Sequence, residues 1–258
     1  MAKWLKSPQT LLFEIRGHVA YITLNQPEKR NALSNAAMHE LHDAMMEADD
    51  HKQVRCVVLS GAGKDFCAGA DLGELLESAD RSLAENEAAA RRLGELFIAI
   101  RRIPKPVVAV VQGRALAGGA GLATACDLVV AGTGAQFGYP EIQRGFVPAM
   151  VMTILRRLAG ERLALDLVLT GRTLGAEEAR GVGLVSRVVP DADLDRESGA
   201  LLQVLAAASA TALGFTKRLF HELDGASFED GVALGARVNA LVRQTPDFRQ
   251  AIARFLER

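Results

Sequence analysis

The sequence predicts an α/β fold built as one domain with a helical appendage, and three observations carry that reading. Two short apolar-rich runs meet at a tight turn and lead into an amphipathic stretch. Two valine-rich runs are each followed by a glycine-containing loop. Beyond Pro190 the pattern changes to helix after helix.

In chain order, residues 11–16 and 19–24 flank Gly17-His18 and predict a β-hairpin that ends at Asn25-Gln26-Pro27. After Ser34, a suitable N-cap, the apolar residues Ala37, Met38, Leu41, Ala44, Met45 and Ala48 recur at helical spacing with acids and histidines on the outer face. That predicts an amphipathic helix packed on a sheet. Cys56-Val57-Val58-Leu59 and residues 107–111 are continuous apolar runs, the pattern of strands covered on both faces. Their loops, SGAGKDFCAGADL and QGRALAGGAGLATACDL, lie where ligands collect in α/β sheets, beyond the strands' carboxyl ends. Between them, residues 81–102 read as a helix stopped by Pro104-Lys105-Pro106.

The boundary is placed with a core over residues 1–192 and a helical region over 193–258. Helices are expected at roughly 193–208, 213–223, 228–243 and 247–256, with Gly225 as a C′ residue and Thr245-Pro246 as a cap followed by proline at the first helical position. Phe248, Ile252, Phe255 and Leu256 form one apolar stripe on the last helix. Such a stripe suits assembly with other chains or packing on its own domain.

Composition narrows the function. Thirty Lys and Arg against 31 Asp and Glu over 258 residues leave no positive field of the kind that draws a protein to nucleic acid or an anionic membrane, so neither is expected as a partner. A small anionic ligand is still served by a local pair such as Lys29-Arg30. Cys56, Cys67 and Cys126 are odd in number and lack CxxC spacing, which indicates neither a disulfide framework nor a zinc site and suits a reducing cytoplasm. No apolar run follows the N-terminal lysines, and none reaches the roughly 18 residues of a membrane span, so the chain is read as soluble and untargeted.

Several motifs invite chemistry. Phe66-Cys67-Ala68-Gly69-Ala70-Asp71-Leu72 is a small-residue stretch that lets backbone pass close to a ligand, although by spacing alone an ordinary tight turn is the favoured account of it. Ala117-Gly118-Gly119-Ala120-Gly121 feeds a helix whose N-terminal amides carry partial positive charge. It is not a dinucleotide fingerprint, because Thr124 stands where the third glycine belongs, and Gly61-Ala62-Gly63-Lys64-Asp65 lacks the hydroxyl residue of a phosphate loop. None of the five histidines lies in a glycine loop and there is no GxSxG, which disfavours a Ser-His-Asp hydrolase. Glu141 follows a proline among apolar neighbours, where burial would raise its pKa toward neutrality, although a Pro-Glu at a helix start also serves as a favourable charge on the helix dipole.

Together these stretches resemble the enoyl-CoA hydratase/isomerase (crotonase) superfamily. The likeness runs in order through ITLNQPEKRNALS, FCAGADL, KPVVAVVQGRALAGGAGLATACDLVVA, AQFGYPEIQRGFVP, LTGRTLGAEEARGVGLVSRVV and the terminal FLER, nearly the whole chain. It implies a crotonase-like (ClpP/crotonase) spiral of ββα units with a C-terminal helical trimerisation region, in a homotrimer or a dimer of trimers. It implies an acyl-CoA thioester as substrate, with coenzyme A part of that substrate and no resident cofactor or metal. By the same resemblance, Ala68 and Gly118 donate N–H groups to the thioester oxygen, and CoA lies near Lys29, Arg30, Ala32, Ala68, Gly69, Ala70, Asp71, Leu72 and Gly118.

The departure is as informative as the match. Two-acid hydratases of the family carry a glutamate three residues after the oxyanion glycine, and here that position is Gly121, so only Glu141 remains. A single acid can perform both proton tasks of hydration in turn or shuttle one proton between carbons. The GAGLA…CDLVVA…GYPEIQRGFVPA stretch also resembles the branched glutaconyl-CoA hydratases, and on that likeness the favoured expectation is a lyase that hydrates a straight or branched 2-enoyl-CoA through an enolate. The alternative is a Δ3-Δ2-enoyl-CoA isomerase, and a third reading, from another class, is a non-catalytic CoA- or RNA-binding member.

Overall fold

The computed structural model describes residues 3–257. β1 (Leu11–Arg16) and β2 (Val19–Leu24) form the expected antiparallel hairpin. It turns at Gly17, whose φ of 58° lies in the left-handed region that glycine enters without a Cβ penalty. β3 (Cys56–Gly61), β4 (Val107–Val111), β6 (Leu128–Gly132) and β9 (Arg187–Val189) continue from β2, all parallel, in the order β1-β2-β3-β4-β6-β9. A smaller sheet runs β5 (Arg114–Leu116), β7 (Gln136–Gly138), β8 (Thr173–Gly175). The chain alternates between the sheets: β4 leads to β5 and then to α4 (Gly118–Ala125), and β6 leads to β7. That alternation is the spiral of ββα units.

The unbroken valine runs have a direct cause. Val57, Leu59, Val107, Ala109 and Val111 face one apolar core, while Cys56, Val58, Val108 and Val110 face a second, so both surfaces of the central sheet are covered. α1 (Asn35–Asp50) and α3 (Leu83–Arg102) pack on each other, with α1 against β1 and β2. Ser34 Oγ accepts the Ala37 N–H at 3.1 Å to cap α1. At its other end, Lys105 Nζ donates to the carbonyls of Ala48, Asp49 and His51 at 2.6, 2.6 and 2.9 Å, satisfying acceptors that the helix leaves open.

α5 (Ala149–Thr170) bends at Gly160 (φ 74°) and is followed by α6 (Ala176–Gly181). The four C-terminal helices are α7 (Leu194–Ala207), α8 (Ala210–Glu222), α9 (Phe228–Arg243) and α10 (Pro246–Leu256), each within a few residues of its expected span. α7, placed beyond the expected boundary at 192, is part of the core: its Leu194, Leu201 and Leu202 cover the second face of the central sheet. The helices that pack on one another outside that layer are α8, α9 and α10. Thr245 caps α10 by accepting the Phe248 N–H at 3.3 Å, with Pro246 at the first position. Gly225 is a correction: it closes a short 3-10 turn and does not adopt the left-handed C′ conformation. Among the described residues no single helix is long and apolar enough to cross a membrane.

Candidate active site

The loops beyond β3 and β4, the segment after β2 and the segment after β7 enclose a cavity of about 850 Å³. Of the residues singled out in the sequence, Lys29, Arg30, Ala32, Ala68, Ala70, Asp71, Leu72, Gly118 and Glu141 all line it. Gly69 does not. It is buried at φ 96°, and a Cβ there would lie 2.8 Å from the Ala117 Cβ and 2.9 Å from the Leu116 carbonyl oxygen, so this glycine is where the two glycine loops touch.

Two backbone donors face no protein acceptor, and one differs from expectation. The Ala68 N–H is donated to the Arg30 carbonyl at 3.0 Å, which stitches the first glycine loop to the segment after β2 and leaves no N–H for a ligand. Leu33 and Asp71 form further bonds of the same stitch, Leu33 N–H to Gly69 O at 2.8 Å and Asp71 N–H to Leu33 O at 3.3 Å. Between them the Ala70 N–H has no acceptor among the described residues. The Gly118 N–H is likewise open: it is the first residue of α4, and the first four amides of a helix lack partners within it. Its position is set by Ala117, held at φ 52° although it carries a Cβ, with its own N–H on the Gly138 carbonyl at 2.8 Å. Such a conformation persists only where its surroundings impose it.

Glu141 stands in a 3-10 turn after β7, begun by Pro140 and closed by Gly145 in the left-handed region. The residue is buried, and its Oε2 has no hydrogen-bond partner among the described residues. Burial pushes its pKa up from the ordinary carboxylate range, against weaker opposition from its own backbone amide and the nearby Arg144 guanidinium. The other carboxylate on the cavity wall, Asp71, is committed elsewhere. Its Oδ1 accepts the N–H groups of Gly73 and Glu74 at 2.9 and 3.2 Å, capping α2 (Leu72–Glu77), and its Oδ2 lies 3.9 Å from Lys29 Nζ.

The wall opposite a second acid is closed. A Cβ on Gly121 would sit 2.4 Å from Val151 Cγ1 and 2.7 Å from the Phe97 ring, so apolar side chains from α5 and α3 fill the space a glutamate would need. Val151, with Leu93 and Met150, lines that part of the cavity.

A sequence model described as Enoyl-CoA hydratase/isomerase matches residues 14–258. The chain belongs to the enoyl-CoA hydratase/isomerase family. A Thermus thermophilus protein named for enoyl-CoA hydratase is 45% identical over 243 residues, 94% of this chain and 96% of its own length. The crystal structure of a Mycobacterium smegmatis enoyl-CoA hydratase matches with a TM-score of 0.92 at 34% identity, covering 96% of both chains. That of human enoyl coenzyme A hydratase domain-containing protein 3 matches at 0.93 with 27% identity, covering 96% of this chain and 98% of that one.

Sequence reasoning missed the residues that hold this hydratase/isomerase-family site together. Asn31, buried at φ 54°, donates from its side-chain amide to the carbonyls of Ala62, Asp65 and Phe66 at 2.9, 2.9 and 3.2 Å, and accepts the Gln26 N–H at 3.0 Å. It clamps the segment after β2 onto the first glycine loop. Asp65, also buried, takes a forked pair of bonds from Arg114 at 3.0 and 2.9 Å, tying that loop to β5; the contact holds the Asp65 carboxyl below its ordinary pKa. The only signal in the sequence was the polar residue type within a quoted motif, because the acceptors lie more than thirty residues away.

Proposed function

We propose that this enzyme adds water to the double bond of a 2-enoyl-CoA. The observation that carries the reading is a buried Glu141, its Oε2 without a partner among the described residues, lining the same cavity as two open backbone N–H groups. Ala70 and Gly118 donate those N–H groups to the thioester oxygen, where negative charge develops; losing one such donor typically costs about 100- to 1000-fold in rate. Glu141 takes a proton from water as its oxygen bonds the β-carbon, and the π electrons move onto the thioester to form the enolate. The same residue then returns that proton to the α-carbon, leaving the 3-hydroxyacyl-CoA and an ionised Glu141. Lys29 and Arg30 meet the phosphates of CoA, and Ala32, Ala70 and Asp71 run beside its arm. The chain works as a homotrimer or dimer of trimers built on its C-terminal helices, in the cytoplasm, where its three buried free cysteines suit a reducing medium.

One observation favours a second reading. The filled space over Gly121 leaves a single acid, which is also sufficient for a Δ3-Δ2-enoyl-CoA isomerase that removes a proton at C2 and returns it at C4. A paired assay of the conjugated thioester's ultraviolet absorbance separates the two. Loss of absorbance with 2-enoyl-CoA supports hydration; gain from a 3-enoyl-CoA, with the 2-enoyl-CoA inert, assigns the isomerase.

A further inference from the structure

The cavity does not stop at the reacting groups. Leu72, Leu75, Leu76 and Ala79, spaced one, four, five and eight along α2 and the turn after it, present one complete helical face to it. That face is apolar yet uncovered: Leu72 is 57% and Leu76 77% exposed. Phe146 and Val147 also line the cavity and are 46% and 58% exposed. Besides Lys29 and Asp71, the charged residues of the lining are Arg30, Arg114, Glu141 and Arg144. On the α2 side the polar lining is at the helix start, where Lys29 approaches Asp71 at 3.9 Å. From there the wall becomes apolar along the helix. Apolar side chains left in water beside a ligand cavity call for a ligand part that covers them, since each buried methylene is favourable.

Resting on the acyl-CoA reading above, we propose that the slot between α2 and the Phe146–Val147 segment holds the tail of a medium- to long-chain linear acyl group, selecting against short acyl-CoAs. From Leu72 to Ala79 the wall runs roughly 10 Å at about 1.5 Å per residue. An extended alkyl chain advances about 1.3 Å per carbon, the projection of a bond of about 1.5 Å, so the wall accommodates roughly eight carbons. The pantetheine arm, with its amides, is the poorer occupant of a wall without polar side chains. Full burial favours each methylene roughly fourfold in affinity, and a slot open on one side about half as much in free energy, roughly twofold.

Saturated acyl-CoAs test this without depending on which reaction the enzyme catalyses. Calorimetric Kd values for butyryl-, hexanoyl-, octanoyl- and decanoyl-CoA with the protein should tighten about twofold per methylene, roughly 60-fold from butyryl to decanoyl. Leu76→Gln, a change at an exposed helical position, should flatten that gradient while the protein keeps its thermal melting profile. A flat series in the wild-type protein, or an undiminished gradient in both Leu76→Gln and Leu75→Gln, overturns the proposal. A flat series accompanied by altered sedimentation of Leu76→Gln places another protein chain on this face, and overturns it too. Absence of hydration alongside a steep binding series would sink the proposed reaction and leave the acyl slot standing.

Discussion

At the scale of single residues, the Glu141 carboxylate to which the proposed reaction assigns the proton transfers is buried at a cost to the fold. Its folded-state pKa lies above the unfolded value, so between the two the folded chain holds more protons than the unfolded chain. Stability therefore falls as pH rises through that window, and the full penalty applies above it. Glu141→Gln should lose about 100- to 10,000-fold in kcat while melting higher than the wild type at pH 7–8. A gain of about 1 kcal/mol would read as roughly 2–4 °C in Tm. The Tm difference should vanish below about pH 4, where the carboxyl is protonated in both states. In the wild type, kcat/KM should decline as pH drops through the raised pKa, because only the ionised form accepts a proton from water. Gly121 makes the complementary point. Gly121→Glu should not create a two-acid enzyme; it forces Val151 and Phe97 apart, an overpacking worth about 1–3 kcal/mol before the buried charge is counted. Adding Val151→Ala should recover part of the lost Tm, the coupling expected of residues competing for one volume.

At the scale of elements, the site depends on how three loops are tied together. Asn31 answers three carbonyls of the first glycine loop from the segment after β2. Its loss strands them at about 1–3 kcal/mol. Asn31→Ala also places a Cβ-bearing residue without a compensating local bond at φ 54°, so it should melt lower than Asn31→Gly, and both should raise KM for acyl-CoA by loosening the wall that carries Ala70. A second tie joins α8 to the core. Lys217 Nζ, almost fully buried, donates to the carbonyls of Ile100 and Lys105 at 2.7 and 3.0 Å and pairs with Asp127 at 2.6 Å. Asp127 in turn accepts the Val107 N–H at 2.7 Å. Lys217→Met removes that carboxylate's ammonium partner, leaving it the Val107 N–H and His221 Nε2 at 3.6 Å, and strands the Ile100 and Lys105 carbonyls; thermal or urea unfolding should register a loss of about 1–3 kcal/mol.

At the scale of the whole molecule, apolar side chains concentrate on the C-terminal helices without cover. Phe228 on α9 is 83% exposed, and Phe255 and Leu256 on α10 are 74% and 77% exposed. In water this arrangement favours association through those helices. Phe228→Asp combined with Phe255→Asp should lower the sedimentation coefficient toward that of a single chain, and unchanged sedimentation would count against assembly through this surface. The near-neutral charge of the chain, −1, predicts that nucleic-acid retention stays negligible even at low salt.

Local patterning determined most of the architecture. The hairpin around Gly17, the Ser34 cap, the helix stopped at Pro104 and the Thr245-Pro246 start are each encoded within a few neighbouring residues, so short-range sterics and hydrogen bonding suffice to place them. Continuous valine runs also reported two covered sheet faces, because a strand with one wet face must alternate. The order of quoted motifs identified the family and pointed to Glu141, Gly118 and the basic pair Lys29-Arg30. Tertiary structure decided the rest. Whether Ala68 or Ala70 keeps a free N–H depends on where the Arg30 carbonyl lies, and Arg30 is distant in sequence. Whether Gly121 marks an open position or a filled one depends on Val151 and Phe97, which arrive from two other helices. The role of α7 was likewise invisible, since its apolar stripe suits a core and an appendage equally until the second face of the sheet needs covering. Donor availability, occupied volume and the burial that raises a carboxyl pKa are properties of side chains meeting in space, and local sequence encodes them only through the fold.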